Sequence, residues 1–397
     1  MAGYDICVIG GCGHVGLPLA IYFAQKGKRV AILDINHEAV ATVSAGVMPF
    51  MEENADKALK EVTASGHLRA FVEPEVVAQS DAVILILGTP VDEHLNPSFA
   101  AITRVIKSDM RHFKNGQLVV LRSTVFPGTT AKVERLFREN GLSVDVVFCP
   151  ERIAQGFALR ETSEHPQIVS GFTPEAIRRG RELFSAITND IVELTPLEAE
   201  LTKLFTNVWR YIKFAIANEF YTIANDHGVD FYRVHRAMTH NYPRAQDLPK
   251  AGFAAGPCLF KDTMQLASFT DNRFFLGHAA MLINEGLPAY VVGCLRARFP
   301  LGERVVGILG MAFKADCDDG RESLSFKLCR ILEVDCKEVL ITDPYVQDER
   351  ILPVKEVIAR SDVLVLGTAH SAYRDLDFQN KPVIDIWNFY GHGGLIG

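Results

Sequence analysis

Among the eight cysteines of this 397-residue chain, no two stand in a CxxC pair. Thiolate zinc sites and thioredoxin-type exchange are built on such pairs, so both are argued against and no metal is expected. Eight cysteines are also too sparse for a disulfide scaffold, which predicts free thiols in a reducing, cytoplasmic setting. Clusters of Lys and Arg are missing too, and the formal net charge is -7. Nucleic acid and anionic membrane are therefore not expected as partners, because phosphate contacts need clustered cations. No apolar run approaches the ~20 residues that span a bilayer. The opening residues Tyr4-Asp5-Ile6-Cys7-Val8-Ile9 read as a strand, not as a charged n-region followed by a signal h-region. What remains, 48% hydrophobic and 22% charged residues without low-complexity segments, is a folded protein of two or three domains.

The pattern divides into three regions. Residues 1–195 alternate short Val/Ile/Leu runs (6–10, 29–33, 82–87, 118–121, 144–148) with amphipathic stretches. Continuous apolar runs of this length predict parallel strands covered by helices on both faces, a Rossmann-like doubly wound α/β sheet. Residues 196–298 open with Thr195 as N-cap, Pro196 as first helical residue and Glu198 in a capping box. The helical pattern then runs to Asn225, until Gly228 stops it. About 30 residues at 1.5 Å each predict a helix about 45 Å long. A helix of that length between two α/β regions predicts a helical dimerisation region, hence a homodimer. Residues 299–397 return to strand–helix alternation, predicting a second, smaller Rossmann-like α/β domain. Its opening turn, Gly307-Ile308-Leu309-Gly310-Met311-Ala312-Phe313, does not repeat the glycine spacing of the first region.

That first spacing is Gly11-Cys12-Gly13-His14-Val15-Gly16, a GxGxxG directly after a strand and before a helix. Gly11 is expected to permit the tight turn, Gly13 to let backbone approach a pyrophosphate, and Gly16 to allow close helix–strand packing. The helix N-terminus then faces the phosphate charge, with His14 and Val15 in the same turn. Asp34, at the end of the next strand, can accept both ribose hydroxyls. No Arg adjoins it, and its carboxylate repels a 2′-phosphate, so NAD is favoured over NADP. Three further polar loops leave the carboxyl ends of later strands, where open α/β sheets bind ligands: Leu87-Gly88-Thr89-Pro90, Arg122-Ser123-Thr124-Val125-Phe126-Pro127-Gly128 and Cys149-Pro150-Glu151-Arg152.

The chemistry concentrates at Gly256-Pro257-Cys258-Leu259-Phe260-Lys261-Asp262. A cysteine at a loop-to-helix junction beside a lysine has two influences that favour its thiolate. The competing reading is a small buried hydrophobe. On the long helix, Lys203, Asn207 and Arg210 are spaced i, i+4 and i+7, a polar stripe that faces either a cleft or solvent.

Taken together, Gly11-x-Gly13-x-x-Gly16-Leu17-Pro18-Leu19-Ala20, the Gly88-Thr89-Pro90 loop, Ser123-Thr124-Val125, Cys149-Pro150-Glu151-Arg152, Lys203 with Asn207, Asn218-Glu219, Gly256-Pro257-Cys258 with Lys261-Asp262, and Ala312-Phe313-Lys314 with Arg321-Glu322-Ser323 resemble the UDP-glucose/GDP-mannose dehydrogenase family. The resemblance covers essentially the whole chain. It implies two NAD-dependent oxidations of a UDP-sugar C6 alcohol to a carboxylate. Cys258 would capture the aldehyde and Lys203 would stabilise the oxyanion, while Asn207 would position the sugar. Asp262, with Thr124 and a water, would move protons, and Glu151 would position or activate the hydrolytic water. Thr89, Pro90, Thr124, Lys261 and Arg321 would lie toward the cofactor. Glu151, Arg152, Lys203, Asn207, Arg210, Arg244, Gly252, Phe253, Phe313 and Lys314 would lie toward the UDP-sugar.

Subfamily signals conflict. Glu151-Arg152 and Arg210 resemble the N-acetylhexosamine enzymes, whereas Lys213 and Cys258-x-x-Lys261-Asp262-Thr263-x-Gln265 resemble the UDP-glucose enzymes. Gln155 stands where UDP-glucose enzymes often carry Glu, and no arginine follows Val383-Ile384-Asp385-Ile386-Trp387-Asn388. The residues beside the reacting carbon tilt the reading toward UDP-glucose, with a UDP-N-acetylhexosamine as the alternative. A two-electron alcohol or hydroxyacid dehydrogenase, or a non-catalytic nucleotide-sugar binder, would leave Cys258 without a chemical role.

Overall fold

The computed structural model describes residues 3–88 and 100–395. The chain forms two compact units, Met1–Phe205 and Thr206–Gly397, and the boundary falls within the helix Pro196–Asp226. The middle region expected at 196–298 is thus shared between the two units.

Eight strands among the described residues build the first unit's sheet: β1 (Tyr4–Ile9), β2 (Val30–Leu33), β3 (Leu68–Phe71), β4 (Ser80–Leu85), β5 (Leu118–Leu121), β6 (Asp145–Phe148), β7 (Gln167–Gly171) and β8 (Ile191–Leu194). Their order is β3-β2-β1-β4-β5-β6-β7-β8. All neighbours pair in parallel except β6 and β7, which run antiparallel through Val147↔Gly171. Side chains alternate between two cores: Ile6 and Val8 join one cluster, Cys7 and Ile9 the other. A strand buried on both faces has no polar side to show, which is why these runs are uninterrupted in the sequence. The order reverses between β1 and β4, so the crevice beyond their carboxyl ends is where such a sheet takes a ligand.

The second unit carries a four-stranded parallel sheet, β9 (Val305–Leu309), β10 (Glu338–Thr342), β11 (Val363–Leu366) and β12 (Val383–Ile384), ordered β10-β9-β11-β12. This is the order of β2-β1-β4-β5, so the architecture repeats even though the glycine spacing does not. Gly310 after β9 is left-handed (φ +94°), as Gly10 is after β1 (φ +75°). Asp343 after β10 occupies the place of Asp34 after β2. The sheet shares a core with the helices Phe231–Thr239 and Phe275–Arg298 through Phe231, Leu287, Val291, Leu295, Val306 and Ile308.

The long helix is 31 residues, about 46 Å at 1.5 Å per residue. At its start the Glu198 carboxylate accepts both the Thr195 N–H (2.8 Å) and the Thr195 hydroxyl (2.7 Å), half of the expected capping box. At its end Gly228 is left-handed (φ +66°) and the Val229 N–H returns to Ala224 O at 2.8 Å, a glycine stop.

Candidate active site

The glycine turn separates three steric roles. A Cβ on Gly10 would sit 2.1 Å from Ile86 O, and its φ is +75°. The left-handed turn therefore falls on Gly10, one residue before the Gly11 named from the motif. Gly11 is needed for clearance instead, because its Cβ would come 2.9 Å from both Val8 O and Ile32 Cγ2. Gly16 packs directly on the turn, its Cβ position 2.7 Å from Gly11 Cα. Gly13 differs: a Cβ there meets only Gly10 O, at 3.9 Å. Nothing among the described residues crowds a side chain at Gly13, so the space beside it is open. The following helix, Gly16–Gln25, has Val15 at its N-cap, no side-chain cap and no acid in its first turn. The Leu17 N–H is taken by Gly13 O at 3.0 Å and Pro18 has none, so what this end offers an anion is chiefly the positive pole of the helix.

Asp34 completes this cradle. Its Oδ2 accepts the Cys12 N–H and its Oδ1 the Asn36 N–H, both at 3.0 Å. The half-buried carboxylate is thereby aimed with lone pairs left for ribose hydroxyls. These residues fit NAD. His14 Nδ1 lies 3.1 Å from Gln155 Nε2, and its ring lies against Phe50, tilted by 41° with 4.0 Å between centroids. The coenzyme turn is thus joined to the loop beyond Glu151. Thr89 and Pro90 lie outside the described residues.

Thr124 is buried in the loop after β5, whose Ser123 Oγ accepts the Leu87 N–H at 2.6 Å. That bond ties together two of the three loops named from the sequence. In the third, Glu151 Oε1 accepts from Lys203 Nζ at 2.9 Å and Oε2 from the Ile153 N–H at 3.1 Å. Burial pushes the Glu151 carboxyl up, but the charge and hydrogen bond of Lys203, with help from Arg122, hold it below the usual range. Arg152 is half-buried and donates to Pro166 O. In this form it ties down its own loop. Glu200, one turn before Lys203, caps the helix Thr129–Glu139 by accepting the Gly128 N–H (2.5 Å) and the Thr130 N–H (2.8 Å).

In the second unit Cys258 is exposed at the N-cap of the helix Leu259–Phe269, which has no side-chain cap. The buried-hydrophobe reading of this cysteine fails. One turn on, Asp262 is fully buried and its Oδ2 accepts from Asn207 Nδ2 at 2.5 Å. Its Oδ1 lies 3.2 Å from Lys261 Nζ but forms no hydrogen bond among the described residues. A buried carboxylate oxygen left open in this way suits an ordered water, and so proton transfer. Asn207 and Lys261, expected on sugar and cofactor, are both turned toward Asp262. Of the polar stripe, Lys203 and Asn207 are buried and Arg210 is exposed.

The loop before Cys258 is held by residues the sequence reading did not single out as site residues. The Asn218 amide pairs with the Gly252 backbone in both directions, accepting its N–H at 2.9 Å and donating to its O at 3.1 Å. Asn218 Nδ2 also donates to Asn284 Oδ1 (2.9 Å), and Asn284 Nδ2 to Tyr211 O (3.0 Å). A signal was present: Asn218 follows Asn207 by eleven residues, three helical turns, on the same face. Phe253 is buried edge-on to Trp387. Phe313 covers Gly256, where a Cβ would come within 2.6 Å of its ring, and Lys314 Nζ lies 5.9 Å from the Phe313 ring centre. The Gly256 N–H donates to Glu322 O at 3.3 Å, joining this loop to Arg321. Arg321 grips Asp319 with Nε and Nη2 yet keeps 62% of its side chain exposed. The Asp319 hydrogen bond first, and Cys258 among the weaker influences, raise its pKa. Arg244 is exposed.

Comparison with known proteins matches these parts in order. Residues 4–188 match the NAD binding domain of the UDP-glucose/GDP-mannose dehydrogenase family, 197–285 its central domain and 307–392 its UDP binding domain. The UDP-N-acetyl-D-mannosamine dehydrogenase of Pyrococcus horikoshii is 31% identical over 382 residues, 93% of this chain and 90% of that protein. A solved UDP-D-ManNAc dehydrogenase structure from the same organism superposes with a TM-score of 0.89 at 30% identity, covering 94% of this chain and 91% of that one. An NDP-N-acetyl-D-galactosaminuronic acid dehydrogenase of Ralstonia nicotianae is 29% identical, with 94% of each chain covered. A UDP-glucose dehydrogenase structure from Pyrobaculum islandicum gives a TM-score of 0.88 at 28% identity, with 96% and 94% covered. With its NAD-binding, central and UDP-binding parts all matched along nearly its full length, the chain belongs to the UDP-glucose/GDP-mannose dehydrogenase family.

Proposed function

We propose that this protein oxidises the C6 hydroxymethyl of a UDP-N-acetylhexosamine to the carboxylate, with UDP-N-acetyl-D-mannosamine the first substrate to test. The observation that carries the choice of sugar is the environment of Lys213. Its Nζ lies 3.3 Å from Asp247 Oδ2 and 5.4 Å from the Trp209 ring centre. Local pairing accounts for this lysine, so its likeness to the UDP-glucose enzymes loses weight. Glu151-Arg152 and Arg210 keep theirs, and the Pyrococcus and Ralstonia relatives are named for N-acetylated sugars. UDP-glucose stands as the second reading, supported by Lys261, Asp262 and Gln265 and by the Pyrobaculum structure.

Bound NAD supplies the hydride acceptor for both oxidations. Gly13 and the uncapped helix N-terminus hold the pyrophosphate, Asp34 the ribose, and Arg321 meets the phosphates. Lys203 stabilises negative charge on the C6 oxygen as it develops. An aldehyde has no hydride to give until a nucleophile adds, so the Cys258 sulfur bonds to C6 and forms a thiohemiacetal. Its oxidation leaves a thioester. Glu151, held ionised, takes a proton from water; the water oxygen bonds to C6, the C–S bond breaks, and the thiol is regained. Asp262 moves protons through the water its open oxygen would hold, with Thr124. On the family resemblance Arg152, Arg210, Gly252, Phe253, Phe313 and Lys314 are each assigned to contact with the sugar nucleotide, and the exposed Arg244 to a neighbouring subunit's substrate.

A homodimer belongs to the same reading, with residues 196–298 as its dimerisation region between the NAD-binding (1–195) and UDP-binding (299–397) regions. On the long helix Trp209, Ile216, Phe220 and Ile223 are 38–55% exposed, a stripe that a second copy would cover. Light scattering on Trp209→Glu should report loss of the dimer. The sugar is tested by kcat/KM for UDP-N-acetylmannosamine, UDP-N-acetylglucosamine, UDP-glucose, UDP-galactose and GDP-mannose. The highest value should fall on an N-acetylhexosamine, and a preference for UDP-glucose would reverse the assignment.

A further inference from the structure

Arg122 is a buried cation that the reaction as described does not use. It follows β5, is 1% exposed, and donates from Nη1 to Cys149 O (3.1 Å) and to Gln167 Oε1 (3.0 Å). Its guanidinium lies over the Phe184 ring at 5.1 Å, and its Nε has no hydrogen-bond partner among the described residues. The Glu151 N–H in turn donates to Arg122 O at 3.4 Å. A guanidinium held by a carbonyl, an amide and a ring is an expensive way to fill space. A methionine or leucine would pack the same volume without desolvating a charge. Burial lowers the pKa of Arg122, and the charge of Glu151, two residues beyond the carbonyl that Arg122 grips, offsets that in part.

We propose that Arg122 acts on catalysis through Glu151, as a positioning residue: it fixes the turn that carries Glu151 and adds a second positive charge, beside that of Lys203, to the carboxylate's surroundings. This rests on the reading of Glu151 as the group that activates the hydrolytic water. Among the described residues, Lys203 Nζ from the long helix and the Ile153 N–H from its own turn hydrogen-bond the carboxylate, and the charge of Arg122 at the end of β5 acts on it as well. The nearby Cys149 thiol is pushed up to about 12 by burial and stays neutral. Arg152, the adjoining cation, is turned to Pro166 O. With the lateral bond to Gln167, Arg122 also pins this turn across the antiparallel step between β6 and β7, where the parallel ladder is interrupted.

The test is the pH dependence of uronate release by the full-length enzyme with saturating NAD and UDP-sugar. In wild type the acid limb marks ionisation of Glu151. Arg122→Met removes one of two cations, so Glu151 holds its proton to higher pH. The acid limb should move up by about one pH unit or more, and because methionine also lacks the fork, kcat above the limb should fall about tenfold or more. Arg122→Lys keeps the charge but loses the fork, so its limb should stay in place while kcat falls about tenfold or more at every pH. An unmoved limb in a folded, NAD-binding Arg122→Met variant overturns the inference. Should that variant not fold, a displaced limb or an unchanged kcat in Arg122→Lys overturns it equally. Glu151→Gln separates the two readings: if it keeps wild-type uronate release, the role of Glu151 falls and this inference with it. If it abolishes release while Arg122→Met leaves the limb unmoved, the inference alone falls.

Discussion

Asn207 Nδ2 donates to Asp262 Oδ2 at 2.5 Å, and the other oxygen of that buried carboxylate is left without a hydrogen bond among the described residues. The amide fixes the carboxylate's plane and leaves one lone-pair direction for a water. Asn207→Leu would strand a buried oxygen, which costs about 1–3 kcal/mol. The variant should lose that much stability in urea unfolding and fall in kcat more than in substrate affinity.

The glycine turn predicts a separation between folding and binding. Gly13→Ala should leave thermal unfolding near wild type, because its Cβ meets only Gly10 O among the described residues, at 3.9 Å. The same variant should raise the KM for NAD by roughly tenfold or more, since the side chain occupies the pyrophosphate space. Gly16→Ala should do the opposite in kind, destabilising the fold by about 1–3 kcal/mol through a 2.7 Å approach to Gly11 Cα.

Asp343 predicts an acid-side effect. Burial pushes its carboxyl up, but the His370 hydrogen bond and charge and the N–H groups of Tyr345 and Val346 outweigh it and hold it at about 2. A depressed carboxylate pKa stabilises the fold above the unfolded value, and that contribution is lost as pH falls through the folded one. Asp343→Asn should therefore cost roughly 2 kcal/mol at pH 7. The difference from wild type should shrink as pH falls from about 4 toward 2 in denaturant titrations.

Asn218→Leu removes both bonds to Gly252 and should loosen the loop that leads to Cys258. Higher KM for the UDP-sugar with unchanged KM for NAD is the expected pattern in steady-state kinetics. Equal increases in both would mean the loop is not the element affected.

Strands buried on both faces were readable because Val8, Ile32, Val83 and Val120 leave no polar interruption. The edge strands β3 and β8 were not, since Arg69 and Glu193 face solvent and break the apolar run. β7 was hidden for another reason. Its Gln167 and Ser170 look like loop residues until their partners, Arg122 Nη1 and Phe148 O, are in place. Cys258, Asp262, Lys203 and Glu151 could be named from motif and spacing. Lys203's pairing with Glu151 is a tertiary relation with no local trace, and for Asn218 the spacing from Asn207 marks its helix face but not its hold on Gly252. The second sheet was expected as a smaller Rossmann-like unit from its strand–helix alternation, but its matching strand order and the equivalent places of Gly310 and Asp343 were not, because no glycine spacing repeats.

Two oxidations through one thiol are the central claim, and NADH formed per UDP-sugar consumed tests it most directly. Wild type should form two NADH per sugar, and Cys258→Ala should bind NAD normally yet release no uronate. One NADH per sugar, or full uronate production without the Cys258 sulfur, would contradict the account.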